Sequence, residues 1–467
     1  MASVEFRPLG RGGRGVHPLG FGGYRIADGV AVHEAALRAY LDRGGNLIDT
    51  SANYTDGASE RLIGRVLKDH ARDRVVVVTK GGYIQGENLA LARTRSFPEV
   101  VAYADGLWHC IHPDFLETQI QRSAERLQVE TIDLYLLHNP EYFLTEIAHH
   151  RAPTADDHTE FDRRIRLAFE FLERCVRQGR IRGYGISSNH FVLPASDPTA
   201  TSVARALAAA RAVATDHHFI AAQLPLNLYE CGGALELNND GHSALEFCRE
   251  HGLGVLANRP LNAFAHNRLV RLANFGAAGG RGPDPGALAA VLEPVRRQER
   301  QFAEHFHPKH ADAGGVAALL EQIVPQLQSP AHLEQAIGPY IIEPIREWLG
   351  AAQREIGSDP HWLAWQRDFI EVINAALEAI GRYVTAKQQP ESDRVRLRLL
   401  AAGYPAAAGA AETLSQMALR VLLSLPGLSS ALVGMRRPEY VADTIAIAAT
   451  PPLPAAEILA AFSSHQP

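Results

Sequence analysis

The sequence lacks any cysteine pattern that would hold a small fold together. Its cysteines are widely scattered, and none forms a CxxC pair. A disulfide framework and a zinc site are therefore not expected, and we predict no metal ligands. The four cysteines are Cys110, Cys175, Cys231 and Cys248.

Long apolar runs and an excess of basic residues are also missing. No run approaches the roughly 20 apolar residues that a membrane-spanning helix needs. The N-terminal sequence Met-Ala-Ser-Val-Glu-Phe-Arg contains no apolar leader segment. The net charge of −6 argues against nucleic acid or an anionic membrane as a partner. We therefore expect a soluble, cytoplasmic protein.

The 467-residue chain does contain a repeated alternation of short apolar runs and amphipathic segments. Val75–Lys80 is a continuous, mostly β-branched run, which is typical of a parallel strand buried on both faces. Polar residues collect where such runs end. No GxGxxG sequence opens a helix, which disfavours a doubly wound dinucleotide-binding fold. The alternation predicts an α/β fold of the (β/α)8 TIM barrel type.

Residues 262–411 break this alternation. They contain no run of strand type, and they carry several helical patterns together with Trp348, Trp362 and Trp365. We interpret them as a large, mostly helical insertion after the seventh strand, with barrel helices lengthened in place as the alternative. The predicted domains are a barrel formed by residues 1–261 and 412–467 and an insertion at 262–411.

Two stretches within the barrel have no clear period. Residues 83–111 are aromatic and predicted to be irregular, and residues 141–160 are polar and predicted to form a loop.

Four chemically different side chains lie at or just after predicted strand ends. They are Asp49, Tyr54, Lys80 and His138. The C-terminal ends of barrel strands meet at one mouth, so this set suits proton transfer to a carbonyl oxygen. Lys80 would lower the pKa of Tyr54 from about 10, and Asp49 would keep Lys80 charged. His138 would donate a hydrogen bond to the oxygen. Taken singly, each residue has a plain alternative, such as a surface lysine, a satisfied core histidine or a structural Asp–Tyr pair.

These residues belong to an ordered set of short sequences that resembles the aldo-keto reductase family. The matching segments come in the family's order and extend over residues 5–261 and 412–450. They are Arg7–Gly10, Gly20–Tyr24, Asn46–Tyr54 followed by Ser59-Glu60, Val78–Lys80, Ile132–His138, Gly185–Ser188 and Leu425–Glu439.

The resemblance implies an oxidoreductase that moves a hydride between a nicotinamide dinucleotide and an aldehyde, ketone or alcohol. By resemblance, Tyr54 is the general acid/base and Lys80 tunes it. Asp49 pairs with Lys80, and His138 orients the carbonyl group.

The resemblance also implies a cofactor site. Ser187 and Ser188 stand where the family has a Ser-Asn pair for the carboxamide, with Asn189 shifted by one position as the alternative, and Gln223 fits its glutamine. Asn258 stands where the family often has an aromatic residue that stacks on the nicotinamide, and Arg259 is a candidate for the pyrophosphate. A helix start with guanidinium groups suits a 2′-phosphate, so NADP(H) is expected over NAD(H), with a solvated helix end as the alternative for these arginines. The expected contacts are Gly22, Gly23, Asp49, Ser187, Ser188, Gln223, Asn258, Arg259, Leu261, Gly434, Met435, Arg436 and Arg437.

Other functions stay open at this level. Gly20, Gly22 and Gly23 near the start either allow close approach of a ligand or form only a tight turn. Lys80 is also a candidate for Schiff base formation in a lyase. A dinucleotide-binding barrel that serves as a regulatory or scaffold subunit without significant turnover is the main alternative. The insertion is a candidate surface for a protein partner, and as a hypothesis it caps the pocket and limits substrate size.

Overall fold

The structure is a computed structural model. It describes residues 4–11, 13–265, 268–275, 287–306, 315–327, 332–333 and 336–464. The chain divides into two compact units. The first contains Met1–Leu272 and Leu399–Pro467, and the second contains Ala273–Arg398.

The first unit is built around a closed barrel of eight parallel strands. Neighbouring strands follow the order of the chain, and the eighth strand pairs with the first. In chain order they are Leu19–Gly22, Leu47–Asp49, Val76–Gly81, Leu134–His138, Tyr184–Ser187, Phe219–Pro225, Gly254–Asn258 and Ser430–Val433. The predicted (β/α)8 barrel is confirmed.

Apolar side chains in one cluster hold the barrel strands together. All six residues of the third strand are buried, as expected for a strand covered on both faces. Each fully buried Leu or Val side chain contributes about 1.5–3 kcal/mol. The cluster therefore gives the polar strand ends a rigid support. Its members are Leu9, Val16, Leu47, Val76, Val78, Leu134, Leu136, Ala221, Leu256 and Leu432.

Helices surround these strands and connect them. In this unit they are Ala31–Asp42, Ala58–Leu67, Gly86–Thr94, Pro113–Leu127, Tyr142–Ala148, Ala155–Arg177, Val203–Val213, Gly232–Leu235, Ala244–Glu250, Ala406–Ala411, Leu414–Leu423, Pro438–Thr444 and Ala455–Ser464.

The prediction of a loop at residues 141–160 is wrong, because two helices cover most of this segment. Tyr142–Ala148 is helical, and the helix Ala155–Arg177 begins after a capping box. In that box the Thr154 hydroxyl accepts from the Asp157 N–H, and the Asp157 carboxylate accepts from the Thr154 N–H. The Thr-x-x-Asp spacing is the sequence signal for this helix start.

Residues 83–111 are more regular than predicted. The strands Tyr83–Ile84, Val101–Ala104 and Leu107–His109 form an antiparallel sheet, with the helix Gly86–Thr94 between the first two. Strands this short cannot display the alternation that marks a strand in sequence. Their support is an apolar cluster of Ile84, Phe97, Cys110 and Phe115.

Two antiparallel strand pairs complete the first unit. Arg7–Pro8 pairs with Gly15–Val16, and Asn262–Ala265 pairs with Arg268–Arg271. The second pair follows the seventh barrel strand directly, so the compact barrel unit extends to Leu272.

The second unit is mostly helical and has its own core. Its helices are Ala287–Phe306, Val316–Ile323, Glu343–Ile356 and the long Pro360–Ala401, with a π-helical turn at Ile337–Ile342. Its core combines aliphatic side chains with the aromatic rings of Phe302, Trp362, Trp365 and Phe369, and Trp365 stacks on Phe369 at 4.8 Å. This unit lies between the seventh and eighth strands in sequence, which confirms the predicted helical insertion. Within the described residues, no helix is both long and apolar enough to cross a membrane.

Candidate active site

A buried ion pair joins the ends of the second and third barrel strands. Lys80 Nζ lies 2.8 Å from Asp49 Oδ2, and neither side chain is more than 5% exposed. The parallel register pairs Asp49 with Val78, which places Lys80 two residues further along on the same strand face. Burial raises the pKa of Asp49 and lowers the pKa of Lys80, while their mutual attraction opposes both shifts. Each group therefore depends on the other to stay ionised.

The ammonium group of Lys80 uses all three of its protons. It donates to Asp49, to the backbone oxygen of Thr50 at 2.8 Å and to the hydroxyl of Tyr54 at 3.3 Å. The Tyr54 ring centroid lies 4.8 Å from Nζ. The acid, the ammonium and the phenol thus form one connected group.

The pKa of Tyr54 shifts in the direction opposite to the one predicted. Burial raises this pKa well above the ordinary value of 10.0, and the negative charge of Asp49 adds to the rise. The prediction considered the Lys80 charge alone, but Asp49 lies 2.8 Å from that charge and offsets it. Tyr54 is therefore a neutral phenol that can donate its proton.

The backbone that follows Tyr54 is strained. Thr55, Asp56 and Gly57 have φ angles of +47°, +52° and +77°. A β-branched residue such as Thr55 rarely adopts this left-handed conformation. Its hydroxyl donates to the backbone oxygen of Ile26 at 2.8 Å, which ties the turn to the loop after the first strand. A non-glycine residue in this conformation, such as Thr55 or Asp56, costs about 1–3 kcal/mol of folding free energy, so the surrounding structure must hold this turn in place.

Gln223 and Ser187 extend the hydrogen-bonded group to the fifth and sixth strands. Gln223 Nε2 donates to Asp49 Oδ1 at 2.8 Å, and Ser187 Oγ donates to Gln223 Oε1 at 3.0 Å. Ser188 turns elsewhere, because its hydroxyl contacts Thr201 at 2.8 Å. The structure thus links two of the three predicted carboxamide-binding residues, with Gln223 in contact with Asp49 and Ser187 in contact with Gln223.

His138, at the end of the fourth strand, lies beside Tyr54. Their ring centroids are 6.0 Å apart, and Tyr83 packs edge-on against His138 at 4.7 Å. Burial and then the charge of Lys80 lower the pKa of His138 well below its usual value. The imidazole is therefore neutral and has one N–H to donate.

Ser51 and Tyr83 contact His138 but are absent from the predicted site residues. Ser51 Oγ lies 3.0 Å from His138 Nδ1. Its position between Asp49 and Tyr54 in the sequence was a usable signal. Tyr83 belongs to the irregular aromatic stretch, where no periodic pattern indicates which way a side chain faces.

The seventh strand ends in two polar residues with unsatisfied atoms. Within the described chain, Asn258 Oδ1 and Arg259 Nε are buried and have no hydrogen-bond partner. The Arg259 guanidinium does pair with Glu230 at 2.7 Å and lies 5.0 Å from the Phe264 ring centroid. Leu261 is half-buried.

The remaining predicted contacts lie where the first and eighth strands end. The register pairs Val433 with Phe21, and a Cβ on Gly22 would lie 3.2 Å from the Val433 oxygen. A Cβ on Gly23 would lie 2.8 Å from the backbone oxygen of Asp49, so backbone packing alone requires glycine at this position. The loop after the eighth strand begins beside these glycines. In it Gly434 and Arg437 are exposed, Arg436 is half-buried and Met435 is buried.

The chain is similar to several characterised reductases. One is the 6-dehydroglucose reductase of Novosphingobium aromaticivorans, which is 29% identical over 207 residues, 40% of this chain and 55% of that protein. Another is the NADH-specific methylglyoxal reductase of Escherichia coli, 28% identical over 139 residues, 28% of this chain and 40% of that protein. The chain spans about half or less of the length of these relatives.

A solved structure is also similar. The aldo/keto reductase from Klebsiella pneumoniae in complex with NADP and acetate aligns with a TM-score of 0.44 and 16% identity. The alignment covers 96% of this chain and 92% of that chain. The model of the Aldo/keto reductase family matches residues 18–267, more than half of this sequence. The chain belongs to the aldo/keto reductase family.

Proposed function

We propose that this protein is an NADP-dependent oxidoreductase that reduces an aldehyde or ketone, or oxidises the matching alcohol. The observation that carries the proposal is the hydrogen-bonded group of Asp49, Lys80 and Tyr54 at the barrel mouth, with His138 beside it. Membership of the aldo/keto reductase family supports the same class of reaction.

Tyr54 is the proposed general acid in reduction and general base in oxidation. Because burial keeps its pKa high, its hydroxyl is protonated and can donate to a carbonyl oxygen as negative charge develops there. The Lys80 ammonium, 3.3 Å from the hydroxyl, stabilises the phenolate that is left behind. Asp49 keeps the ammonium oriented.

His138 is the proposed second donor to the carbonyl oxygen. Its Nδ1 contacts Ser51, which leaves Nε2 as the ring nitrogen for the substrate. A neutral imidazole suits this role because it donates a hydrogen bond without adding a buried charge. A preorganised donor of this kind contributes about 2.7–4 kcal/mol to transition-state stabilisation.

The polar atoms at the mouth fit a nicotinamide dinucleotide. When bound, its nicotinamide ring supplies or accepts the hydride. Gln223 and Ser187 would hold the carboxamide, and the unsatisfied Asn258 Oδ1 and Arg259 Nε are free to bind polar cofactor groups. We propose that Arg436 and Arg437 bind a 2′-phosphate. The E. coli relative is named as NADH-specific, so similarity to it does not favour NADP. The proposed preference for NADP therefore depends on these two arginines.

The substrate is proposed only as a carbonyl compound or its alcohol. The similar proteins are named for a dehydroglucose and for methylglyoxal, which are both carbonyl compounds. Around the reacting group, Tyr24 packs against Tyr54 at 5.1 Å and Tyr83 against His138 at 4.7 Å. These rings would form apolar walls around a small polar centre.

Lys80 is poorly suited to the alternative role of a Schiff base nucleophile. Its side chain is fully buried, and its three protons are all donated to fixed partners. Attack on a carbonyl needs a neutral amine with a free lone pair, and the Asp49 carboxylate favours the ammonium form.

The experiment is NADPH oxidation measured across a panel of aldehydes, ketones and sugars, with Tyr54→Phe as the matched control. We expect turnover of at least one compound and a large loss in the variant. NADPH binding with no turnover on the panel would instead favour a regulatory or scaffold barrel. For the cofactor preference, kcat/KM is compared between NADPH and NADH, and equal values would contradict it.

A further inference from the structure

Four polar side chains form a chain of hydrogen bonds that starts at His138 Nδ1, the ring nitrogen that does not face the proposed substrate. His138 Nδ1 is 3.0 Å from Ser51 Oγ, and Ser51 Oγ is 2.7 Å from Asn53 Oδ1. Asn53 Nδ2 is 3.1 Å from Gln85 Oε1. We call His138, Ser51, Asn53 and Gln85 the relay. The last three have no role in the proton transfer or cofactor binding proposed above.

The His138 ring is held firmly, so the position of its proton is what can vary. His109 Nε2 lies 2.7 Å from the backbone oxygen of His138, and Tyr83 packs against the ring at 4.7 Å. Tyr83 is itself fixed, because its hydroxyl accepts from Asn139 Nδ2 at 2.7 Å. A neutral imidazole in this setting has two tautomers and little freedom to rotate.

Ser51 has one hydroxyl proton and three acceptors around it. They are Asn53 Oδ1 at 2.7 Å, His138 Nδ1 at 3.0 Å and the Lys80 backbone oxygen at 3.4 Å. In the arrangement of the structure Ser51 donates to Asn53 Oδ1 and Asn53 Nδ2 donates to Gln85, so His138 must carry its proton on Nδ1 and donate it to Ser51. Nε2 is then an acceptor, which cannot donate to a carbonyl oxygen.

A half-turn of two amide groups reverses this arrangement. Turned over, Asn53 donates its NH2 to Ser51, and Ser51 donates its proton to His138 Nδ1. His138 then carries its proton on Nε2. Gln85 must turn with Asn53, because its NH2 now donates to Asn53 Oδ1. Amide oxygen and nitrogen have nearly the same size, so both arrangements fit the same space.

We propose that Ser51, Asn53 and Gln85 are positioning residues that set the tautomer of His138, and that the state with the proton on Nε2 is the productive one. The proposal rests on the proposed reduction for its effect on rate. The tautomer itself is a property of the protein without substrate. In the relay Gln85 contacts Asn53 and not His138. Gln85 can therefore be changed without altering His138 or Tyr54 themselves.

Two substitutions at Gln85 should move the tautomer in opposite directions. Gln85→Glu offers only acceptors, so Asn53 keeps its NH2 toward residue 85 and its oxygen toward Ser51. The proton of His138 is then expected on Nδ1. Gln85→Lys offers only donors, so Asn53 presents its NH2 to Ser51 and the His138 proton is expected on Nε2. Ser51→Ala removes the link and should make the tautomer independent of residue 85.

The tautomer is read from the two ring ¹⁵N shifts of His138 in histidine-labelled protein, with His138→Gln to assign the signal. Wild type and Gln85→Lys should show the proton on Nε2, and Gln85→Glu should show it on Nδ1. A wild-type proton on Nδ1, or the same tautomer in both Gln85 variants, overturns the proposal. The matched control is Ser123→Ala, because Ser123 is also buried and its hydroxyl has no partner in the described part of the chain.

Kinetics then connect the tautomer to the reaction. Gln85→Glu and Ser51→Ala should lower kcat for carbonyl reduction by about tenfold to a hundredfold, less than complete loss of a preorganised donor. The Kd for NADPH should not change, and Gln85→Lys and Ser123→Ala should behave as wild type. Since the NMR result needs no turnover, failure of the relay and failure of the proposed oxidoreductase activity are distinguishable.

Discussion

Replacing Lys80 with methionine leaves a buried carboxylate without its cation, and we expect the barrel to lose stability mainly for that reason. Lys80 is fully buried and donates to Asp49, the Thr50 oxygen and Tyr54. Methionine has a similar length and no charge, so packing is largely kept, while the Asp49 carboxylate keeps Gln223 as its one side-chain partner among the described residues. Breaking a buried ion pair from one side costs about 3–5 kcal/mol.

The loss should depend on pH. Burial raises the pKa of Asp49 even with Lys80 present, and Lys80 supplies the largest opposing effect. A carboxyl whose folded pKa exceeds its unfolded value of about 3.9 destabilises the fold only where it must ionise. The stability that the protonated Asp49 carboxyl contributes is therefore fully present below the unfolded pKa and is lost as pH rises through the folded pKa. The variant should be closer to wild type at about pH 5 than at about pH 8.

Hydrogen exchange on peptides from the third and fourth barrel strands is the suitable assay. Tryptophan fluorescence would report mainly on the other unit, which holds Trp348, Trp362 and Trp365, whereas the barrel unit holds only Trp108. The matched control is the double variant Asp49→Asn with Lys80→Met, which removes both charges. The double variant should recover much of the unfolding free energy that the single variant loses. A single variant that costs less than about 1 kcal/mol, or a double variant that is worse than the single, would refute the reasoning.

The same structure supports four further predictions. Because His138 is neutral and Tyr54 stays protonated, kcat/KM for reduction should be flat from about pH 6 to 9, and a midpoint near 6.5 would contradict this. Gly64→Ala should cost about 1–3 kcal/mol in denaturant unfolding, because its Cβ would lie 2.6 Å from the Arg126 oxygen. Gly350→Ala, where the Cβ meets only Arg354 at 3.7 Å, should stabilise its helix by about 1 kcal/mol. Arg437→Ala should raise KM for NADPH about tenfold and leave KM for NADH unchanged, and equal effects on both would exclude a 2′-phosphate contact.

The meeting of Asp49, Lys80 and His138 at one mouth is predictable from sequence because each ends a buried run. Parallel strands that alternate with helices close into a barrel, and their C-terminal ends then face the same side. The helical insertion is predictable for the converse reason, since most of its segment lacks the runs that form strands. The prediction that residues 262–411 contain no strand is wrong at their start, where Asn262–Ala265 pairs with Arg268–Arg271.

Local backbone geometry is what the pattern does not reveal. Thr55 and Asp56 adopt left-handed angles that their residue types disfavour, so no propensity indicates the turn that places Tyr54. Ser188 and Ser187 are adjacent and chemically identical, yet the Ser187 hydroxyl donates to the Gln223 side chain whereas the Ser188 hydroxyl contacts Thr201. The sign of the Tyr54 pKa shift depends on burial, which a sequence motif does not measure.

The central claim is that Tyr54 is the proton donor to the carbonyl oxygen, and single-turnover hydride transfer tests it most directly. NADPH oxidation is followed with enzyme in excess over a carbonyl compound that the wild type reduces, for wild type and for Tyr54→Phe. We predict that the variant binds NADPH with unchanged Kd and transfers the hydride about 10²–10⁴-fold more slowly. A Tyr54→Phe protein that transfers the hydride at the wild-type rate would contradict the claim.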